Sequence, residues 1–227
     1  MCGFFLNTHK NQSFSRFKNL ASLINKRGPD FNKIINLENI KLAHFRLKIL
    51  DTNKRSNQPF CDKNKRYYLL FNGEIYNYLS LKEKHSLVCS TSSDTEVLFL
   101  LLIKIGLKKT LKEIEGMFSF VFLDTKSKKI FCARDHFGQK PLFYFHKNDK
   151  LIVSSEIKSI TSYVSNLRPN FKGSLNPLFL QTISARPNTM IKDIKSLEPS
   201  HFLVYDLNNR TLSNKSYFSL EKMVSES

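Results

Sequence analysis

The chain has 227 residues, enough for one large domain or for one domain with a short extension. Its hydrophobic content of 41 %, including 20 Phe and 8 Tyr, can fill a packed core and excludes disorder as the general state. The net charge of +17 allows a nucleic-acid binder, but the lysines are spread along the whole chain. That distribution favours a solvated basic surface, so we expect no specific nucleic-acid partner.

The cysteines and the apolar segments indicate a cytoplasmic protein with no membrane partner. No apolar run approaches the roughly 18 residues that a membrane span needs. The start lacks the basic segment followed by an apolar stretch that is typical of a secretory signal. The four cysteines are Cys2, Cys61, Cys89 and Cys132. They show no paired spacing, so we expect reduced thiols and no metal site.

Hydrophobic spacing predicts three strands and two helices in the first 106 residues. The predicted strands cover residues 2–7, 40–50 and 66–73. The predicted helices cover residues 13–26 and 92–106, which end at a Gly-Pro pair and at Gly106 respectively. The second helix is apolar nearly all round, so we expect it to be buried on more than one side.

The second half of the chain predicts two strand–turn–strand segments, at residues 116–135 and 140–156, and a short helix at 155–164. Because strands and helices do not alternate strictly, the pattern indicates an α+β fold with mainly antiparallel sheets. A change of composition near residue 168 predicts a domain over residues 2–165 and an extension over 166–227. The extension is predicted to contain a helix at 174–184 and a hairpin at 201–218.

Four polar segments at the ends of predicted elements are candidates for chemistry: "RGPD" (27–30), "AHFRLKILD" (43–51), "FNGEIYNY" (71–78) and "SDTE" (93–96). Each also has an ordinary explanation. Arg46 could reach the surface from an edge strand, Asn72-Gly73 could be a plain turn, and Asp94 could be a helix cap. Cys2 by itself could be a small residue at a frayed end.

In combination, these residues match the needs of an amide-cleaving site. Loss of Met1 would leave Cys2 with a thiol and a free α-amine, whose pKa of about 7.7–8.0 suits it to accept the thiol proton. The Asn72 side chain and the Gly73 N–H could form an oxyanion hole. An arginine suits a carboxylate and an aspartate suits an ammonium, so glutamine would match the set.

The motifs, in this order, resemble a known family. "MCGF", "RGPD", "HFRLKILD", "FNGEIYNY", "SDTE", "GMFSFVFLD", "RDHFGQKPLFYF" and "SSEIKSI" are similar to the glutamine amidotransferase domain of glutamine-hydrolysing asparagine synthetases. This is the class II, N-terminal-nucleophile type. The resemblance implies a four-layer αββα sandwich of two antiparallel sheets.

The resemblance also implies a role for individual residues. Cys2 would be the nucleophile, Arg46 would bind the α-carboxylate of glutamine, and Asp94 its α-ammonium. Asn72 and Gly73 would form the oxyanion hole, and Glu74 would contact the substrate. Backbone groups of four residues would line the pocket: Leu47, Lys48, Ile49 and Leu50. Lys48 departs from the small residue that is usual in the family.

The cofactors and partners follow from what the chain lacks. Residues 188–207 resemble the segment that leads into the ATP-using domain of asparagine synthetases, with Pro199-Ser200-His201 in place of Pro-Gly-His. The Ser-Gly-Gly-x-Asp-Ser loop of that domain does not occur in the chain. We therefore expect no cofactor here, with ATP and magnesium only on a missing synthetase part. Expected partners are glutamine and an ammonia-accepting synthetase domain or subunit, and a homodimer is compatible with this assignment.

Two alternatives stay open at this point. One is a free-standing glutaminase subunit that feeds a different amidotransferase partner. The other is a catalytically silent binding protein that holds nucleic acid on its basic surface. The presence of Cys2, Arg46, Asn72 and Asp94 argues against the silent protein.

Overall fold

The computed structural model describes residues 1–170 and 187–219. The chain divides into two compact units. Unit 1 comprises Met1–Leu47 and Pro141–Glu198, and unit 2 comprises Lys48–Lys140 and Pro199–Ser227. The helix predicted at 174–184 lies outside the described residues.

Strands account for most of the regular structure in the described residues. The strands are β1 (Gly3–Asn7), β2 (Phe31–Leu37), β3 (Ile40–Arg46), β4 (Phe60–Cys61), β5 (Tyr67–Ile75), β6 (Gly116–Asp124), β7 (Lys129–Arg134), β8 (Phe143–Lys147), β9 (Lys150–Ser154), β10 (Ile194–Ser196), β11 (His201–Asp206) and β12 (Thr211–Ser216). The helices are α1 (Phe14–Ser22), α2 (Tyr78–Lys84), α3 (Asp94–Lys104), α4 (Gly106–Glu113) and α5 (Ile157–Thr161).

Unit 1 contains an antiparallel sheet with the strand order β10-β8-β9-β1-β3-β2. Helix α1 contacts β1 and β3, and α5 contacts β8 and β9. Ser13 caps α1 by accepting a hydrogen bond from the Arg16 N–H at 3.2 Å. The amphipathic spacing of α1 places Phe17 and Leu20 in a buried cluster, where the Phe17 ring stacks on Phe5 at 5.1 Å. This cluster holds β1 in the centre of the sheet.

Unit 2 contains an antiparallel sheet with the strand order β12-β11-β7-β6-β5-β4. Helix α3 packs against this unit's core, and its apolar residues from Val97 to Phe99, with Leu101 and Leu102, are buried. The expectation of a helix buried on more than one side is therefore confirmed. Across the described residues, no helix is both long enough and apolar enough to cross a membrane.

Several predicted elements are confirmed with shorter bounds, and a few observed elements were not predicted. The strand predicted at 40–50 ends at Arg46, because its neighbours β1 and β2 offer no partner beyond that residue. The helix predicted at 92–106 is followed at once by α4, which begins at Gly106 with a φ of +76°. Strands β2, β4 and β10 and helices α2 and α4 were not predicted. The hairpin predicted at 201–218 is confirmed as β11 and β12.

Candidate active site

Cys2 lies immediately before β1, at the end of the ladder that β1 forms with β3. The first register pair is Gly3 with Phe45, so Cys2 comes opposite Arg46. The Cys2 thiol contacts the backbone of Leu47, the residue that follows Arg46. Sγ is 3.6 Å from the Leu47 carbonyl oxygen, and it accepts a hydrogen bond from the Leu47 N–H at 3.4 Å. Unit 1 therefore brings Cys2, Arg46 and Leu47 together at one strand end.

Two segments hold the backbone around Cys2 in place. Arg27 Nε donates to the Cys2 carbonyl oxygen at 2.9 Å, and Arg27 Nη1 is 3.4 Å from Glu156 Oε1. Ser155 exchanges two hydrogen bonds with Phe4, both at 3.0 Å. The "RGPD" and "SSEIKSI" motifs contain these residues, but sequence reasoning assigned neither Arg27 nor Glu156 a role. The structure shows them to be supports for the segment that carries the thiol.

Gly28 occupies a space that a larger residue cannot. A Cβ atom at this position would lie 2.1 Å from the Phe45 carbonyl oxygen and 2.5 Å from the Arg46 nitrogen. Two residues later the chain contacts the end of β3 again, because the Asp30 N–H donates a hydrogen bond to the Arg46 carbonyl oxygen at 3.1 Å. The turn at residues 27–30 therefore packs its backbone directly on the end of β3.

Arg46 does not reach the surface from an edge strand. Strand β3 lies between β1 and β2, and Arg46 is only 4 % exposed. A guanidinium stays charged when buried, so this position suits the binding of an anion better than simple solvation. After Arg46 the chain is irregular: Leu47, Lys48 and Leu50 are half-buried, and Ile49 is 61 % exposed.

Asn72, Gly73 and Glu74 are part of β5 and do not form a turn. They pair with Ser119, Phe118 and Met117 of β6. The Asn72 side chain is buried, and its Nδ2 has no hydrogen-bond partner among the described residues. A buried amide donor without an acceptor is costly, and among the described residues Gln12 Nε2 shares this state with Asn72 Nδ2.

Gly73 lies too close to β6 for any side chain. A Cβ atom there would be 2.1 Å from the Met117 carbonyl oxygen and 2.7 Å from Phe118 Cα. The close approach of the two strands explains why a glycine lies within β5.

Asp94 is the first residue of α3, but the cap of this helix is Ser93, whose hydroxyl accepts from the Thr95 N–H at 3.2 Å. Asp94 Oδ2 instead accepts from the Ile75 N–H at 3.0 Å, which ties the helix start to the end of β5. Burial raises the pKa of Asp94 to about 6, against the hydrogen bonds from Ile75, Thr95 and Ser93, which lower it. The negative charge of Glu74 adds to the increase.

Glu96, two residues further on, holds the loop before α3. Its carboxylate accepts from the Ser90 N–H at 3.0 Å, the Ser90 hydroxyl at 2.8 Å and the Thr91 N–H at 2.6 Å. Burial alone would raise its pKa, but the hydrogen bonds from Thr91 and Ser90 leave the pKa of Glu96 below its ordinary value. The "SDTE" motif thus combines a cap, a buried carboxylate and a loop anchor. Unit 2 brings Asp94 together with Asn72, Gly73 and Glu74.

Comparison with known proteins identifies the family. The sequence profile of the glutamine amidotransferase domain matches residues 1–218. The chain belongs to the glutamine amidotransferase domain family. It is 36 % identical over 217 residues to a glutamine-hydrolysing asparagine synthetase of Methanocaldococcus jannaschii, covering 87 % of this chain and 42 % of the relative. It is 34 % identical over 218 residues to asparagine synthetase 2 of Bacillus subtilis, covering 93 % of this chain and 29 % of the relative.

The chain therefore spans less than half the length of these relatives. Among solved structures, the glutamine phosphoribosylpyrophosphate amidotransferase of B. subtilis superposes with a TM-score of 0.71 at 18 % identity. The match covers 96 % of this amidotransferase domain and 49 % of that chain. This likeness of fold confirms the predicted αββα class of two antiparallel sheets.

Within 1–170 and 187–219, no three His, Cys, Asp or Glu side chains lie close enough together to hold a metal ion.

Proposed function

We propose that this amidotransferase domain hydrolyses glutamine to glutamate and ammonia, with Cys2 as the nucleophile. The observation that carries the proposal is the position of the thiol, 3.4 Å from the Leu47 nitrogen at the strand end that also carries the buried Arg46. A thiol beside a buried cation is placed for attack on a substrate that has a carboxylate. Membership of the glutamine amidotransferase family supports this chemistry.

The proposed reaction has two covalent steps. After loss of Met1, the Cys2 α-amine takes the thiol proton, and the thiolate attacks the carbon of the glutamine side-chain amide. The resulting oxyanion is stabilised by the Asn72 side-chain amide and the Gly73 N–H. The α-amine then gives its proton to the departing ammonia as the C–N bond breaks. Water hydrolyses the thioester, which releases glutamate and restores the thiol.

The remaining residues are proposed to bind the ends of glutamine. The Arg46 guanidinium pairs with the α-carboxylate, and the ionised Asp94 carboxylate pairs with the α-ammonium. Glu74 adds a second acceptor for the substrate. Backbone groups from Leu47 to Leu50, including those of Lys48 and Ile49, complete the pocket. No cofactor is required for any of these steps.

The ammonia is proposed to serve an ATP-dependent amidation of aspartate on a synthetase part that this sequence does not contain. The names of the relatives support this acceptor, because both are glutamine-hydrolysing asparagine synthetases. ATP and magnesium would bind that part and not this domain. We expect the chain alone, supplied with glutamine, aspartate, ATP and magnesium, to produce glutamate without asparagine, since it has no Ser-Gly-Gly-x-Asp-Ser loop.

A different acceptor enzyme is the second candidate. The proposed chemistry of residues 1–227 is the same for both candidates, because each acceptor needs only the ammonia. Adding a purified candidate acceptor distinguishes the two: formation of asparagine from aspartate supports the synthetase, and amidation of another substrate supports the alternative.

The central test measures glutamate and ammonia released from glutamine by the purified chain, by Cys2→Ala and by Cys61→Ala. Cys61 is also a half-buried thiol and serves as the matched control. We expect release by the wild type and by Cys61→Ala, and background release by Cys2→Ala. Equal release by all three would exclude Cys2 as the nucleophile. Intact mass of the active protein should show that Met1 is absent.

A further inference from the structure

Unit 1 contains a cleft of about 780 Å³ that none of the residues assigned to glutamine lines. Its described walls come from the β8–β9 turn, from Arg16 on α1 and from the segment that follows α5. Lys192 and Asp193, just before β10, close another side. This volume falls in the range of about 300–1,000 Å³ that is typical of small-molecule sites.

The charge of this cleft is strongly one-sided. Six basic side chains line it: His9, Arg16, Lys147, Lys150, Arg168 and Lys192. Asp193 is the one carboxylate among the described lining residues, and it pairs with Lys147 at 2.9 Å. With His9 neutral, the lining keeps four positive charges. A cleft with walls of one sign concentrates the electric field and attracts counter-charged ligands more than a flat surface does.

One wall of the cleft is organised by contacts between its own residues. Tyr163 Oη and His9 Nδ1 are 2.8 Å apart, and their rings meet edge to face at 5.9 Å. Arg16 Nη2 donates to the Tyr163 carbonyl oxygen at 3.4 Å. This contact directs the exposed Arg16 side chain towards the wall of the cleft. A pre-oriented guanidinium loses less side-chain entropy when it binds an anion.

The titration of His9 is consistent with a positive potential in this wall. Burial lowers the pKa of His9, and the charges of Lys150, Lys41 and Arg16 lower it further. The three cations lie on three different elements, so the potential belongs to the wall as a whole and not to one side chain.

We propose that this cleft binds a small molecule that carries two or more phosphate groups. Four positive charges around one concavity match a polyphosphate better than a single carboxylate. A nucleic-acid strand would instead need an extended basic groove with free aromatic faces. Here the Tyr163 ring is already occupied by His9, with the Arg16 guanidinium 5.8 Å from its centre. A bounded cleft of about 780 Å³, partly open to solvent, therefore fits a small ligand better than a strand.

The test uses isothermal titration calorimetry of the full chain with inorganic phosphate, pyrophosphate and tripolyphosphate. The salt concentration should be about 0.15 M, where exposed charges farther apart than about 8 Å are screened. The cleft variant is Lys150→Gln with Lys192→Gln. The matched control is Lys63→Gln with Lys109→Gln, which removes the same charge from exposed positions of unit 2. Equal melting temperatures establish that both variants fold.

We expect affinity to rise from phosphate to tripolyphosphate, and the cleft variant to weaken tripolyphosphate binding about tenfold or more while the control changes little. Glutamine hydrolysis should be the same in both variants, which separates this site from the proposed active site. Equal weakening in the two variants would overturn the proposal in favour of diffuse surface charge. Absence of tripolyphosphate binding would also overturn it. A short single-stranded RNA that binds more tightly than tripolyphosphate, and depends on the cleft, would assign the site to nucleic acid instead.

Discussion

The side chain of Asn72 is the buried polar group that the proposed reaction uses as an oxyanion donor. Its side chain is buried in β5, yet Nδ2 has no acceptor among the described residues. A folded protein leaves such a donor unpaired at a cost of about 1–3 kcal/mol. This cost is tolerated where a reacting group needs the donor. An oxyanion that forms as the substrate reacts is such a group.

Asn72→Ala should therefore lower kcat for glutamine hydrolysis by about 10²–10³-fold, the loss typical of one oxyanion donor. The melting temperature should change little, because the variant also removes an unpaired buried donor. Ser119→Ala is the matched control: Ser119 faces Asn72 across the β5–β6 ladder and is equally buried. A large drop in melting temperature for Asn72→Ala, or similar kinetic losses in the two variants, would contradict an oxyanion role.

The raised pKa of Asp94 predicts a pH-dependent KM. In the proposed role its carboxyl must be ionised to pair with the substrate ammonium, and burial raises the pKa of Asp94 to about 6. As the pH falls through about 6, the carboxyl takes up a proton and the pair is lost. KM for glutamine should then rise steeply below this pH. Steady-state kinetics between about pH 5 and pH 8 would show the change, since this interval covers both the Asp94 titration and that of an α-amine near 7.7–8.0.

Asp94→Asn separates this effect from the titration of the Cys2 α-amine. The asparagine oxygen can still accept from the Ile75 N–H, so the fold should be kept. The variant should have a high KM at every pH and should lack the rise near pH 6. Asp62→Asn is the control, because Asp62 also accepts backbone hydrogen bonds in unit 2. A KM increase near pH 6 that persists in Asp94→Asn would assign the titration to another group.

At the scale of elements, the sequence predicts best what depends on local spacing. The amphipathic pattern around Phe17 and Leu20 predicts α1, and the apolar run after Asp94 predicts α3. Helix α1 nevertheless stops at Ser22, four residues before the predicted end. Strand β2 is an edge strand with no fully buried residue, and its apolar and polar residues do not alternate, so it lacks the period-two signal that predicts a strand.

Prediction from the sequence fails most clearly where the structure depends on a contact between residues that are distant in sequence. Asn72-Gly73 is the dipeptide typical of a hairpin turn, yet both residues lie within β5 because β6 pairs with them. Gly28 looks like a helix-ending residue, and its contact with Phe45 and Arg46 is visible only in the structure. Motif resemblance predicts the site residues, but it does not predict supports such as Arg27 and Glu156.

The turn at Gly28 provides a test of how an element positions the site. Gly28→Ala would push a Cβ atom against the Phe45 carbonyl and the Arg46 nitrogen, so the turn or the end of β3 must move. We expect the free energy of unfolding to fall by about 1–3 kcal/mol, as for other overpacked positions. Glutamine hydrolysis should fall as well, because Arg46 and Leu47 follow the strand end. Urea unfolding and activity would measure both effects.

Lys26→Ala is the control for this variant, since Lys26 is exposed immediately before the turn. It should leave both quantities nearly unchanged. Normal stability and normal activity in Gly28→Ala would show that the turn does not set the position of β3.

At the scale of the whole molecule, the chain beyond residue 165 contributes strands to both sheets. Strand β10 pairs with β8 in unit 1, and β11 pairs with β7 in unit 2. The composition change near residue 168 carries no information about these pairings, because strand neighbours are chosen by contacts distant in sequence. The domain boundary near residue 165 stays a prediction.

The shifted pKa values of several carboxylates predict how the stability of the folded chain depends on pH. Asp124 accepts two hydrogen bonds from Arg66, both at 3.0 Å, and these bonds hold the pKa of Asp124 well below its ordinary value. Hydrogen bonds from His85 and Lys84 likewise lower the pKa of Glu113. A lowered pKa means that the stabilisation is present above the unfolded-state pKa of about 4 and is lost as the pH falls below it. Asp94 acts in the opposite sense, since its raised pKa favours the folded state as the pH falls from about 6 to about 4.

We therefore expect the melting temperature to decline steeply below about pH 4. In that range the unfolded chain binds protons at these carboxylates more readily than the folded chain does, so acid favours unfolding. Their protonation also raises the net charge above +17, so that repulsion within the folded state adds to the decline. Asp124→Asn should lower the melting temperature at pH 7 and make the decline shallower. Glu38→Gln, a change at an exposed turn, should follow the wild-type curve. Melting curves at several pH values would test this, and a decline in Asp124→Asn as steep as in the wild type would place the acid sensitivity elsewhere.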